Sequence, residues 1–299
     1  MRAGRNVAIG LAVVTALTAV RIAFYSPTIP PSDAGDYTLC AYRLAHGDVA
    51  DAGPKSGFRP GMVVPLAILG RLGGYGPVSL GLYPLLCATG TLIVLLLLAN
   101  RLAGPGIAVL AVTLVGTAPL LVRLATELLP ETPMMFFALL AVWFGHGAAA
   151  AAQDSSVPGV RSRLHRDAML CGMALYLAFA AKESVLFLLA PLAMSLAVHL
   201  TIGGRWRATL ALASRERLAV SLLVLGFAIP LAVELLTLSH VFGTPLARLH
   251  WIAAGGATMR QLHGLTLAGR IRALRETILT GQTQCSLCLL YTSPSPRDS

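Results

Sequence analysis

Long apolar runs are the feature that most restricts this chain. They fall at about residues 7–24, 77–99, 105–125, 132–151, 168–181, 184–201 and 218–238. A backbone inside hydrocarbon must satisfy every N–H and C=O internally, so such segments are helices or closed barrels. Runs that are apolar throughout, without alternation, select helices. Composition agrees, with 56% hydrophobic and 12% charged residues, against about 25% charged in soluble domains. The expected fold class is an all-α polytopic membrane protein.

Residues 7–24 follow Arg2 and Arg5. No small-residue cleavage site follows them, so an uncleaved first helix is expected rather than a signal peptide. Arg21 interrupts its end. Residues 25–58 read as a polar loop rich in Pro, Gly and Asp, and 61–72 as a short interfacial or re-entrant piece. The region 168–201 holds either two short spans with a turn near Lys182 and Glu183, or one tilted helix plus an interfacial piece.

The net charge of +10 comes without a basic helix, zinc pattern or aromatic-interleaved RNA motif, which removes the usual signs of nucleic-acid binding. It is better read as a topology signal. With the N-terminus in the cytoplasm and seven spans, the inner segments up to residue 238 hold ten basic residues and the outer segments six. The dense clusters at 161–166 and 205–217 then lie inside, as the positive-inside rule asks. Merging 168–201 into one span would place 205–217 outside, so the count favours two. The arginines from Arg248 to Arg275 lie outside on this count and strain it.

This topology brings three charged segments to the outer face: the loop bearing Asp33 and Asp36, the connection RLATELLPETP at 123–133, and the turn at Lys182. QDSSVPGVRSRLHRD, 153–167, reads as a solvated linker. Asp33 and Asp36 precede TLCAYRLAHG, a candidate short helix whose apolar positions make no clean stripe. Asp33 or Ser32 is placed to cap it. Alternatively, a carboxylate here is a candidate general base toward an acceptor hydroxyl or amine. Glu127 and Glu131 are spaced i,i+4, but Pro130 and Pro133 argue against one continuous helix through both. Glu131 suits the first turn of the next span, where negative charge is favoured. Either acid is also a candidate to orient an acceptor or hold a cation. Lys182 interrupts an apolar region, either snorkelling or binding a lipid phosphate. Arg59, in GFRPGMVVP, has the same capacity. Glu234 lies inside the last apolar run, where it either pairs within the bundle or faces a cavity.

The histidines show no metal-ligand spacing such as H-E-x-x-H. No cofactor is expected, and no pattern supports a divalent metal. Cys40, Cys87 and Cys171 read as small packing residues. Cys285 and Cys288 form a C-x-x-C without the second pair or strand–helix context that metal or redox chemistry needs.

Four stretches together resemble a family, the GT-C type membrane glycosyltransferases, in particular bacterial members related to protein O-mannosyltransferases and aminoarabinose transferases (family 39-like). SDAGDYTLCAYRLAHGD resembles the first-loop pattern of an Asp, a Tyr four residues later, and a helix ending in Gly. FRPGMVVPLAILGRLGG resembles the basic-Pro-Pro segment, with Gly61 where the family has its second Pro. ELLPETPMMFFALLA resembles the acid before the fourth span, and AAKESVLFLLAPL the Lys-containing turn. The family's acid pair beside the first Asp is absent, because residue 34 is Ala.

The resemblance covers residues 7–240 and implies a helical GT-C bundle with outer-face juxtamembrane helices. It also implies transfer of a sugar from a polyprenyl-phosphate donor to a lipid, glycan or protein acceptor at the outer face of a bacterial inner membrane. By the same resemblance Asp33 is the catalytic base and Glu131 a second active-site acid. Lys182 and Arg59 contact the donor phosphate, and Asp36, Tyr37 and Glu127 are further substrate-binding candidates. The competing function classes are a transporter or flippase and an assembly subunit with no site. The last run, CSLCLLYTSPSPRDS at 285–299, resembles translated adapter sequence. That implies residues 1–284 form one incomplete transferase-like unit followed by a non-native tail.

Overall fold

The computed structural model describes residues 2–23, 33–48, 59–153, 159–186 and 216–248, and every regular element among them is helical. In chain order these are α1 (Arg2–Ala23), α2 (Asp33–Ala45), α3 (Pro60–Gly73), α4 (Pro77–Ala103), α5 (Pro105–Thr117), α6 (Pro119–Leu124), α7 (Glu131–Gln153), α8 (Val160–Ala181) and α9 (Arg217–Phe242). Three are long and apolar enough to cross a membrane: Pro77–Ala103, Glu131–Ala152 and Arg217–Phe242. Ala8–Ala23, Pro60–Gly73 and Pro105–Thr117 are apolar but shorter. The run at 184–201, the 205–215 cluster and the tail at 285–299 lie outside the described residues, apart from Ser184–Leu186.

Proline and glycine set the boundaries. Pro60, Pro77 and Pro105 each stand in a first helical turn, where the missing N–H costs nothing and φ is already helical. Gly104, at φ 85°, reverses the chain between α4 and α5 in a single residue; a Cβ would strain that left-handed conformation. The expected span at 105–125 is not one helix. It breaks at Ala118, which is extended (φ −59°, ψ 121°) ahead of Pro119, because a residue before proline is pushed out of the α region. The expected linker at 153–167 is also corrected: from Val160 onward it is the first two turns of α8, and Asp167 is buried there.

The helices pack in sequence-local pairs. α7 lies along α8, α8 along α9, α4 along α5 and α7, and α1 along α5 and α4. Lipid tails are as apolar as leucine, so such helices associate through close packing rather than transfer from water. Small residues serve this at the α8–α9 contact. A Cβ on Gly172 would come within 2.0 Å of the Leu223 carbonyl oxygen, and one on Gly226 within 2.4 Å of the Met169 carbonyl oxygen. Leu86, Leu114, Val233 and Leu236 point outward and are well over half exposed, a surface suited to lipid rather than water. Arg21 is buried in α1 and donates to the Gly116 carbonyl at 3.3 Å, placing its charge at the C-terminal end of α5.

The short helices α2 and α3 pack on each other, and α3 bridges to α4 and α8. The buried face of α2 consists of Ala34, Tyr37, Cys40, Ala41 and Ala45, which is a helical stripe built largely from small residues. Leu39 and Tyr42 are about half exposed, which is why apolarity alone shows no clean stripe. The Arg71 guanidinium of α3 donates to the Ala45 carbonyl and so caps the C-terminus of α2.

Candidate functional site

α7 and α8 run side by side, so the start of α7 lies beside the end of α8. Glu131 opens α7, and Lys182 closes α8 in extended conformation (φ −155°, ψ 126°). The Lys182 ammonium pairs directly with the Glu131 carboxylate. Each charge also sits at the helix end that favours its sign. Thr132 fixes this start by donating to the Leu124 carbonyl at 2.7 Å. The turn expected near Lys182 and Glu183 is present.

α3 delivers Arg59 to the same place. Arg59 is extended (φ −107°, ψ 97°) because Pro60 follows it. Its approach depends on Gly61: a Cβ there would lie within 2.5 Å of the Ala181 backbone nitrogen. The Gly61 carbonyl in turn accepts from the Tyr83 hydroxyl. Gly61 is thus what lets α3 rest on the last residues of α8, beside Lys182 and Glu183.

Arg59 donates to the Tyr37 hydroxyl and lies 3.5 Å from Glu183. Tyr37 is fully buried. Burial pushes its phenol above the ordinary value, and Asp33 adds to that while Arg59 opposes it. Burial alone would lower the basicity of Arg59, but Tyr37 and Glu183 outweigh it and raise the value. Asp33 is exposed on the first turn of α2 and acts electrostatically on both groups.

Glu183 leads on to residues that sequence reading left outside the site. Arg248, which follows α9, donates from Nε to Glu183 at 2.6 Å and from Nη1 to Glu234 at 2.9 Å. Its Nη2 donates to the Phe179 carbonyl at 2.7 Å, and its guanidinium lies 4.7 Å from the Phe179 ring centroid. The Tyr176 hydroxyl donates to the other oxygen of Glu234 at 2.9 Å. Burial would raise the Glu183 carboxyl, but Arg248 and then Arg59 outweigh it and hold the group below the usual carboxylate range.

The structure therefore pairs Tyr37 with Arg59 and Glu131 with Lys182, brings Arg59 to Glu183 next to Lys182, and lets Asp33 act on Tyr37 and Arg59 from the exposed edge. It does not join Glu127, which pairs with Arg123 at 2.6 Å on an exposed turn, and Asp36 is exposed. Between the two acids of ELLPETP, only Glu131 reaches the cluster. Arg248 and Tyr176 were missed. Glu234 was legible as an acid in an apolar run, and its partners are what the structure adds. Sequence carried a trace of Arg248 in the charge count, where it stood among the arginines that strain the seven-span topology.

Two buried atoms of the cluster have no hydrogen-bond partner among the described residues: Arg59 Nε and Glu131 Oε2. The first is a donor that could meet an anionic oxygen, the second an acceptor that could meet a hydroxyl. Among the described residues no group of three His, Cys, Asp or Glu side chains is arranged to hold a metal ion. A cavity of about 20 Å³ lies elsewhere, beside Arg21, Thr91 and Thr132, and the charged groups of the cluster do not line it. Comparison with protein-family models, with curated proteins and with solved structures gives no match.

Proposed function

We propose that the chain is a membrane glycosyltransferase that moves a sugar from a polyprenyl-phosphate donor to a lipid, glycan or protein acceptor. The observation that carries this reading is the pair of unpartnered buried atoms, Arg59 Nε and Glu131 Oε2, in a cluster that also holds Lys182. Two cations beside an exposed carboxylate are the parts that displacement from a phosphate requires. The GT-C resemblance of the four stretches supports the reading and implies a cluster at the outer face of a bacterial inner membrane.

In this reading Asp33 removes the proton from the acceptor hydroxyl or amine as that group attacks the anomeric carbon. The bond between the anomeric carbon and the phosphate oxygen breaks, and its electron pair leaves with polyprenyl phosphate. Arg59 and Lys182 stabilise the negative charge that develops there. Displacement in one step inverts the anomeric centre. Glu131 turns from Lys182 toward a sugar hydroxyl when the phosphate takes its place. Tyr37 holds Arg59 in position, and a carboxylate at Asp36 or Glu127 lies too peripheral to share the step.

A transporter or flippase would use Glu234 on a substrate path. Glu234 is already bonded to Tyr176 and Arg248, so a cargo would have to displace both. The deciding experiment is turnover of a polyprenyl-phosphate sugar by the chain in lipid nanodiscs, with Asp33→Asn beside it. The unaltered chain is expected to release polyprenyl phosphate, and Asp33→Asn to be slower by about 10²-fold or more. Equal rates would remove Asp33 as the base. Movement of the lipid between leaflets without cleavage would replace the transferase by a flippase.

A further inference from the structure

Glu183 is shared unequally. It lies 2.6 Å from Arg248 Nε but 3.5 Å from Arg59 Nη2. A carboxylate left alone with a guanidinium closes to about 2.7–2.9 Å, often through two parallel bonds. Here it does not close on Arg59, whose Nε stays buried without a partner.

The reason lies in how Arg248 is held. It is only 4% exposed. Its three nitrogens bond Glu183, Glu234 and the Phe179 carbonyl, and its plane rests on the Phe179 ring. Glu234 is in turn held by Tyr176. Arg248 therefore cannot follow Glu183 toward α3.

We propose that Arg248 is a positioning residue for an anion site at Arg59: it holds the Glu183 carboxylate back, so that Arg59 remains open to the phosphate of a lipid donor. This rests on the reading of the cluster as a lipid-phosphate site. Without the Arg248 charge, Glu183 has Arg59 as its nearest cation, closes on it and competes with the ligand. The same logic makes Glu183 the inhibitory partner. Neutralising Glu183 frees Arg59 whether Arg248 is present or not.

The test is binding of sugar-free polyprenyl phosphate to the chain in nanodiscs of zwitterionic lipid. Arg248→Gln is expected to weaken binding by about tenfold, the scale of one charged hydrogen bond. Glu183→Gln is expected to tighten it. The double variant Arg248→Gln/Glu183→Gln is expected to bind like Glu183→Gln alone, since no carboxylate is left to close on Arg59. General loosening of the fold would not be rescued by the second substitution. Unchanged binding in Arg248→Gln, or a double variant as weak as the single one, overturns the proposal. If Arg248→Gln does not fold, Glu183→Gln decides alone, and binding no tighter than that of the unaltered chain overturns it. Absence of binding by the unaltered chain overturns the donor reading and this proposal together, whereas binding that is indifferent to Arg248 overturns this proposal only.

Discussion

The turn at 123–127 and the turn at 182–183 look alike in the sequence: each puts a basic residue and an acid between apolar segments. In the structure they differ. Arg123 and Glu127 meet each other one helical turn apart, with side chains 47% and 29% exposed. Lys182 instead meets Glu131, 51 positions away, and Glu183 meets Arg59 and Arg248, 124 and 65 positions away. A local pair in contact with solvent is screened and contributes little. Glu131 and Lys182 are themselves partly exposed, but the Arg248 side chain is only 4% exposed, and a pair shielded in that way is costly to break, because each charge left behind is unpaired.

That contrast can be pressed hardest at Arg248. Arg248→Met leaves Glu183 and Glu234 without their shared cation, and stability is expected to fall by about 3–5 kcal/mol, read as unfolding of the detergent-solubilised protein. A loss under 1 kcal/mol, the ceiling for an exposed pair, would mean that the two turns are energetically alike.

Acid should separate them next. The folded-state pKa of Glu183 is depressed by its two arginines, against the effect of burial. Its contribution to stability is therefore complete above the ordinary carboxylate range and is lost as pH falls through the depressed folded value. Melting temperature should drop on acidification below that range, and Glu183→Gln should flatten the drop. An unchanged slope in Glu183→Gln would show that other carboxylates carry it. The smallest effect is expected at the outer turn, where Glu127→Ala should change stability by about 0.5 kcal/mol or less, again by detergent unfolding. A larger loss would show that Glu127 has structural work beyond Arg123.

Much of the site was legible because its members are anomalies in an apolar chain. Arg59, Glu131 and Lys182 stand out as charged groups flanking apolar helices, Tyr37 entered only through the resemblance, and each is found in the cluster. Helix periodicity alone did not separate Glu127 from Glu131; the prolines placed Glu131 at the start of the next span, and the resemblance ranked it first. The resemblance marked Gly61 as a departure from a proline. In the structure that glycine is the point where α3 meets the α8 backbone, so the departure has a packing reason. The break at Ala118 was legible in the Ala-Pro dipeptide, but the apolar run masked it. Pro84 and Pro230 stand inside helices that continue unbroken, so proline alone does not decide a break in such segments.

By itself the sequence determined that the described chain would be helical and would include membrane-length segments, because apolar backbone has no other way to satisfy its hydrogen bonds. It also determined where several helices begin, since proline fixes φ and removes a donor regardless of context. Only the tertiary structure decided which charges meet. Ion pairing depends on distances between residues far apart in the chain, and these are set by how closely α3, α8 and α9 approach at Gly61, Gly172 and Gly226. Arg248 shows the difference most plainly: a surplus charge in the sequence, it becomes the centre of a buried network once the chain folds back beyond α9.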